Sequence, residues 1–167
     1  MASWDQIIVD HAPIVVRLTR RILGVGPDAE DVTQEVFLEA FQLQQRQVVA
    51  NWAGLLRMMA TRRALDRLRL RRRRPTEPLD GIEVPCHGSS AHENVVAAEM
   101  AERLRDAIAE LPDGQAVVLS LRYFDNLSYE QIAETLHMEP SAVGAALYKA
   151  RIRLQTLLKV EIRGAGS

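Results

Sequence analysis

SYEQIAETLHMEPSAVGAALYKARIRL, Ser128 to Leu154, is the stretch that decides the fold. Ser128-Tyr129-Glu130-Gln131 fits a capping box, in which the serine hydroxyl takes a free helical N–H and the glutamine side chain returns to the serine N–H. Ile132, Ala133 and Leu136 then give an apolar face at helical spacing. His137 to Pro140 forms a short turn. A second helix from Ser141 continues the core with Val143, Leu147, Ile152 and Leu154. Two short helices, a tight turn and a small residue, Ala133, at the crossing suit a helix-turn-helix, because the two axes must approach closely. The second helix ends basic, at Lys149, Arg151 and Arg153, where cations can sit beside phosphates. Its first half, from Ser141 through Val143, Gly144 and Ala146, is bare at the end that usually enters a groove.

Upstream the same helical grammar repeats. Ser3 with Gln6 fits another capping box, and a helix runs from Trp4 to about Leu23 with Ile8, Ala12, Val15, Thr19 and Ile22 on one face. Pro13 bends that helix or marks a boundary in it, and Gly24-Val25-Gly26-Pro27 ends it. Asp28 opens the next helix, with Glu30 and Asp31 in the dipole-favoured first turn. Val32, Val36, Phe37, Ala40 and Phe41 carry it to about Leu43. Gln42 to Gln47 is a glutamine-rich loop. Asn51 caps a third helix from Trp52 to about Arg74, with Trp52, Leu55, Leu56, Met59, Ala60 and Arg63 as its stripe. Residues 75–91 hold three prolines, two glycines and two serines and are expected to form a flexible linker. Four further helices follow, over about 92–111, 114–124, 128–136 and 141–159. No stretch alternates long enough for a strand, so the fold class is all-α: two small helical domains, 1–74 and 92–167, joined by the linker 75–91.

Charge is distributed in blocks. The net charge is only −1, yet Arg57 to Arg74 holds nine arginines against the single acid Asp66. Glu77 to Glu139 holds thirteen acids against Arg103, Arg105 and Arg122, and from Ser141 onward five basic residues face Glu161. A chain with two basic blocks flanking an acidic middle can hold nucleic acid at two places, or pair with itself when idle. No apolar run approaches the roughly 20 residues of a membrane span, no signal segment opens the chain, and no membrane insertion is expected. The lone Cys86 cannot form an internal disulfide, which fits a reducing cytoplasm.

Catalysis finds no support. The glycines around Gly24 lack the lysine and the preceding strand of a phosphate loop. His11, His87, His92 and His137 are scattered, so no nucleophile–base arrangement can be built. Cys86 and His87 with His92 are too few ligands in a linker for a metal site. No enzyme activity, cofactor or metal is expected.

The segment LPDGQAVVLSLRYFDNLSYEQIAETLHMEPSAVGAALYKARIRLQTLL resembles region 4 of the extracytoplasmic-function (group 4) sigma factors of bacterial RNA polymerase, within the sigma-70 family. DAEDVTQEVFLEAF resembles their regions 2.1–2.2, and NWAGLLRMMATRRALDRLRLRRRR their regions 2.3–2.4. Order, linker and length agree, over about residues 4 to 158. The resemblance implies a sigma region 2 helical bundle that binds polymerase and the −10 element, and a sigma region 4 helix-turn-helix that binds the −35 element. It places polymerase binding on Asp31, Gln34 and Glu35. It places −10 contacts on Arg62, Arg63, Arg67, Arg69 and Arg71, of which 63, 67 and 71 stack on one face. Asp66 is read as an ion-pair partner for arginine, and Phe37 and Phe41 as core.

Where the family often carries Ala-Arg-Asn this chain has Ala60-Thr61-Arg62-Arg63, so Arg62 takes the place of the asparagine. The −10 base loop, here Gln44 to Ala50, offers amides but no aromatic platform. Family recognition helices usually carry Lys or Arg where this chain has Gly144 and Ala146, which implies weakened −35 readout through Ser141, Tyr148, Lys149, Arg151 and Arg153. The implied partners are core polymerase, promoter DNA and an anti-sigma factor. Two alternatives stay open: a sigma-like decoy that titrates an anti-sigma factor without initiating transcription, and a stand-alone helix-turn-helix repressor.

Overall fold

The computed structural model describes residues 2–73 and 91–164 of the chain. Among them are seven helices and no strand: α1 Trp4–Leu23, α2 Pro27–Gln44, α3 Trp52–Arg73, α4 Ala91–Ala109, α5 Asp113–Tyr123, α6 Tyr129–Leu136 and α7 Pro140–Gly164. The all-α class follows the sequence expectation. The expected linker lies outside the described residues except for Ala91, the first residue of α4. The Cys86–His87 metal reading lies outside them too.

Local chemistry sets the helix ends. At α6 the capping box is complete: the Gln131 N–H donates to Ser128 Oγ at 3.1 Å, and the Ser128 N–H donates to Gln131 Oε1 at 2.9 Å. At α1 only half of the expected box forms. The Gln6 N–H donates to Ser3 Oγ, but the Gln6 amide turns forward to Asp10 Oδ1 at 2.7 Å, where a charged acceptor outcompetes the backbone. Asn51 caps α3 by accepting the Gly54 N–H at 2.9 Å. A Cβ at Gly54 would lie 2.9 Å from the Asn51 amide, so the Asn51 side chain sits close over the glycine. Pro27 takes the first position of α2, where its missing N–H costs nothing. Pro13 neither ends nor divides α1; the helix continues through it with the ring on an exposed face.

Packing differs from the sequence stripes in a few places. On α1 the buried set is Ile7, Val15, Leu18, Thr19, Ile22 and Leu23, while the expected Ile8 and Ala12 are half-buried. The helix is therefore rolled slightly from the predicted face. Phe41, read as core, is 40% exposed and leans on Trp4, with ring centroids 5.1 Å apart. Ile152, also read as core, is 45% exposed. The buried stripe of α7 is Val143, Leu147 and Ala150, continued by the half-buried Leu154. Position 152 falls about 200° around the helix from Ala150 and so points away.

The element that organises the molecule is α3. It packs on α1 and α2 with one side, and on α4, α5 and α6 with the other. Leu56, Ala60, Ala64, Leu65 and Leu68 put their buried side chains into a core continuous from Ile7 to Ala150. Each fully buried leucine or isoleucine contributes about 1.5–3 kcal/mol of transfer free energy. The sequence reads as two halves, and in the structure they share the surface of one helix.

Candidate nucleic-acid interface

The arginines of α3 radiate in three directions. Arg63, Arg67 and Arg71 share a face, as their four-residue spacing requires, and that face is turned to α2. The Arg63 guanidinium lies 2.5 Å from Glu39 and 3.6 Å from Glu35. Arg67 lies 2.7 Å from Glu35 and 3.2 Å from Asp28. Arg71 lies 3.5 Å from Asp28 and donates to the Leu23 carbonyl at 3.1 Å. Arg69 and Arg72 point instead to the C-terminal helices. Arg69 donates to the Ala109 and Leu111 carbonyls, each at 3.3 Å, and pairs with Asp113 at 3.2 Å. Arg72 pairs with Glu110 at 2.8 Å and Asp106 at 3.4 Å. Asp66 pairs with Arg69 at 3.5 Å, the partnership read from the sequence.

Arg62 is different. It is exposed and makes no ion pair among the described residues. It borders an open groove between α2 and α3 that is also lined by Leu43, Leu55, Met58, Asp66 and Leu70. An exposed guanidinium beside apolar side chains can meet a phosphate while flat groups rest on the apolar part. The loop before α3 carries no aromatic residue, but Trp52 just after it stacks edgewise on Trp4 at 6.1 Å. Trp4 also meets Phe37 and Phe41, so the end of the bundle next to the glutamine-rich loop is an aromatic cluster.

The outer surface of α2 presents Asp31 and Gln34 to solvent. Glu35 is half-covered, because it is held by Arg63 and Arg67. The structure thus separates three residues that the sequence groups together: two are exposed and unpaired among the described residues, and the third is part of the α2–α3 ion-pair lattice.

On α7 the exposed residues between Ser141 and Arg153 are Ser141, Ala142, Ala145, Tyr148, Lys149, Arg151, Ile152 and Arg153. Gly144 and Ala146 are half-buried. A Cβ at Gly144 would meet Tyr129 Cε2 at 3.7 Å, and Ala146 packs against the core. Ala146 is a packing position and Gly144 has room for a methyl against Tyr129, so the bareness of the outward face comes from Ala142 and Ala145. The turn before α7 is set by His137, left-handed at φ 53°, with the Met138 N–H donating to the Ala133 carbonyl at 2.9 Å. Arg151 is drawn toward α5. It donates to Tyr123 Oη at 2.8 Å and lies 5.6 Å from the ring centre, and that hydrogen bond holds its proton more tightly than usual. Lys149 and Arg153 project freely beside it.

The residue that sequence reasoning missed is Asp125, in the loop between α5 and α6. Its side chain is fully buried. Arg17 of α1 approaches Oδ1 at 2.5 Å, and Arg57 of α3 approaches Oδ2 at 2.6 Å. Next to it, Arg21 donates to the Phe124 carbonyl. Across the same seam Arg105 of α4 donates to the Ile22 carbonyl at 3.1 Å. The local sequence Asp125-Asn126 has ordinary turn composition, and Asn126 does take a left-handed φ of 55°. Nothing local marks the aspartate. Only the block pattern of charge foretold that the acidic middle would meet the basic helix.

Comparisons with known proteins agree with this architecture. Residues 7–74 match the family described as sigma-70 region 2, and residues 101–154 match sigma-70, region 4. The ECF RNA polymerase sigma factor SigE of Mycolicibacterium smegmatis is 31% identical over 160 residues, covering 95% of this chain and 62% of that protein. The chain therefore spans less than two thirds of that relative. SigW of Bacillus subtilis, also an ECF RNA polymerase sigma factor, is 26% identical over 169 residues, covering 94% of this chain and 89% of that protein. The sigma factor RpoE of Bartonella quintana, solved in complex with the anti-sigma factor NepR, shares the fold at a TM-score of 0.58 with 21% identity, over 93% of this chain and 96% of that one. With both sigma regions present in order on the two sets of helices, the chain belongs to the extracytoplasmic-function sigma factors of the sigma-70 family.

Proposed function

We propose that this chain is a promoter-specificity subunit that brings core RNA polymerase to its promoters and has no catalysis of its own. The observation that carries the reading is the pairing of a sigma region 2 carrying the arginine-dense α3 with a sigma region 4 carrying the α6–α7 helix-turn-helix. Residues 1–74 form the polymerase- and −10-binding unit, and 92–167 the −35-binding unit. Asp31, Gln34 and Glu35 dock on a basic helical surface of the polymerase. Arg62 takes the first −10 contact, since it is exposed and unpaired among the described residues. Arg63, Arg67, Arg69 and Arg71 reach DNA only by exchanging a carboxylate for a phosphate. At −35, Ser141, Tyr148, Lys149 and Arg153 face outward, and Arg151 joins them if it leaves Tyr123.

Small outward residues in the first turns of α7 leave −35 readout to backbone contacts and thymine methyls more than to guanine edges. Two weak contacts on one chain reinforce each other through effective concentration. An anti-sigma protein holds the chain in reserve, as NepR binds RpoE in the Bartonella complex. The site of action is the cytoplasm; no helix among the described residues is long and apolar enough to cross a membrane. The decoy reading draws its support from the bare recognition helix, whose outward Ala142 and Ala145 offer no polar group to base edges.

The test is run-off transcription with purified core polymerase on a promoter selected by the protein. Specific transcripts are expected, and Arg62→Glu is expected to reduce them at least tenfold in a chain of unchanged helicity. No specific transcript from any selected template would favour the decoy.

A further inference from the structure

Among the described residues Asp125 is the only charged residue that is buried. Removing a carboxylate from water carries a large desolvation cost, which a low-dielectric ion pair offsets only with good geometry. Here two guanidinium groups supply that geometry, and both come from the other half of the molecule. Arg17 and Arg57 are 108 and 68 residues away along the chain. The partners themselves are not sealed in, since the side chains of Arg17 and Arg57 are 40% and 22% exposed. When the halves part, Asp125 regains its hydration and the two arginines turn to solvent. Removing one member of such a buried group is costly in the closed form, so the contact biases the halves toward closure. The seam has further weaknesses. Thr61, one helical turn after Arg57 on α3, and Ser120 on α5 bury their hydroxyls without a partner among the described residues.

The same closure occupies the arginines of α3. Arg69 and Arg72 are tied to Asp113, Asp106 and Glu110, which all lie in the acidic middle of the chain. A closed molecule therefore presents fewer free cations than its sequence contains.

We propose that Asp125 is a latch: gripped by Arg17 and Arg57, it holds the C-terminal helices against α3 in a self-closed resting form that withholds Arg69 and Arg72 from DNA. The withholding rests on the reading of α3 as a promoter-strand surface; the closure itself does not. Phosphates compete for the same guanidinium groups, so nucleic acid and closure are mutually exclusive ligands of α3, and each weakens the other by the same factor.

The test uses the full chain with Cys86→Ser, labelled with a donor–acceptor dye pair at Val9→Cys and Gln155→Cys, two exposed positions in opposite halves. Energy transfer reports closure without polymerase or DNA. Asp125→Asn is expected to lower the transfer and to tighten binding of a single-stranded −10 oligonucleotide about tenfold, as the open fraction rises. Lower transfer with unchanged oligonucleotide binding supports the latch and counts against the DNA role of Arg69 and Arg72. Unchanged transfer in an Asp125→Asn protein of native helicity overturns the latch. If that variant loses its helicity, Arg17→Gln, which leaves Arg57 on the carboxylate, is expected to give a smaller fall in transfer. No fall in Arg17→Gln overturns the latch equally.

Discussion

Gly144→Ala separates packing from recognition on α7. Glycine inside a helix costs about 0.8–1.0 kcal/mol relative to alanine. The new methyl would meet Tyr129 Cε2 at 3.7 Å and Cδ2 at 4.0 Å, ordinary contact distances with nothing nearer. Burying part of one methyl against the ring adds a few tenths more, from about 0.8 kcal/mol for a fully buried group. The net expectation is a stabilisation of about 1 kcal/mol, or about 2–4 °C in Tm for a chain of this size. Urea and thermal unfolding followed by far-UV circular dichroism measure it. Binding of −35 duplex DNA should stay within about twofold of the parent, because the methyl is aimed at Tyr129 and not at the groove. A loss of stability would refute the geometry around Tyr129. A tenfold change in DNA binding at unchanged stability would refute the orientation of position 144 toward Tyr129 and away from the groove.

Two further results are expected. Ser128→Ala removes the acceptor for the Gln131 N–H at the start of α6 and should cost about 0.5–2 kcal/mol in chemical denaturation. Ser128→Asp should recover most of that, since a carboxylate caps as well. Arg62→Ala should lower the salt slope of single-stranded −10 DNA binding by about 0.7 in a log–log plot. Arg63→Ala should lower it less, because Arg63 must first leave Glu39; equal effects from the two would show that the α2–α3 lattice does not hold in solution.

Legibility in the sequence followed the range of the interaction. Helix existence, type and most ends were readable, because caps and apolar periodicity act within three or four residues. Ser128 with Gln131 and Asn51 before Trp52 act locally, and the structure uses both; Pro27, read as part of the stop after the first helix, instead opens α2 one residue before the expected Asp28. Where local rules failed, a competing partner lay just outside the pattern. Asp10 took the Gln6 amide. Ile152, five residues after Leu147 and so about 140° around the helix, falls outside the apolar stripe and is exposed. The outward cations Lys149 and Arg153 were legible too; that Arg151 would be drawn to Tyr123, 28 residues away, was not.

Thus the sequence alone determined the all-α class, the order of the helices and the placement of arginine along one of them, because periodicity and capping are written in neighbouring residues. Tertiary structure decided which arginines stay free. Helical spacing says that Arg63, Arg67 and Arg71 share a face but not what that face meets, and it meets Glu39, Glu35 and Asp28. Nor does any local signal distinguish a turn aspartate in water from one enclosed by two guanidinium groups. Asp125 became the meeting point of the two halves only once α1 and α3 were packed beside it, since burial is a property of the assembled fold and not of the chain.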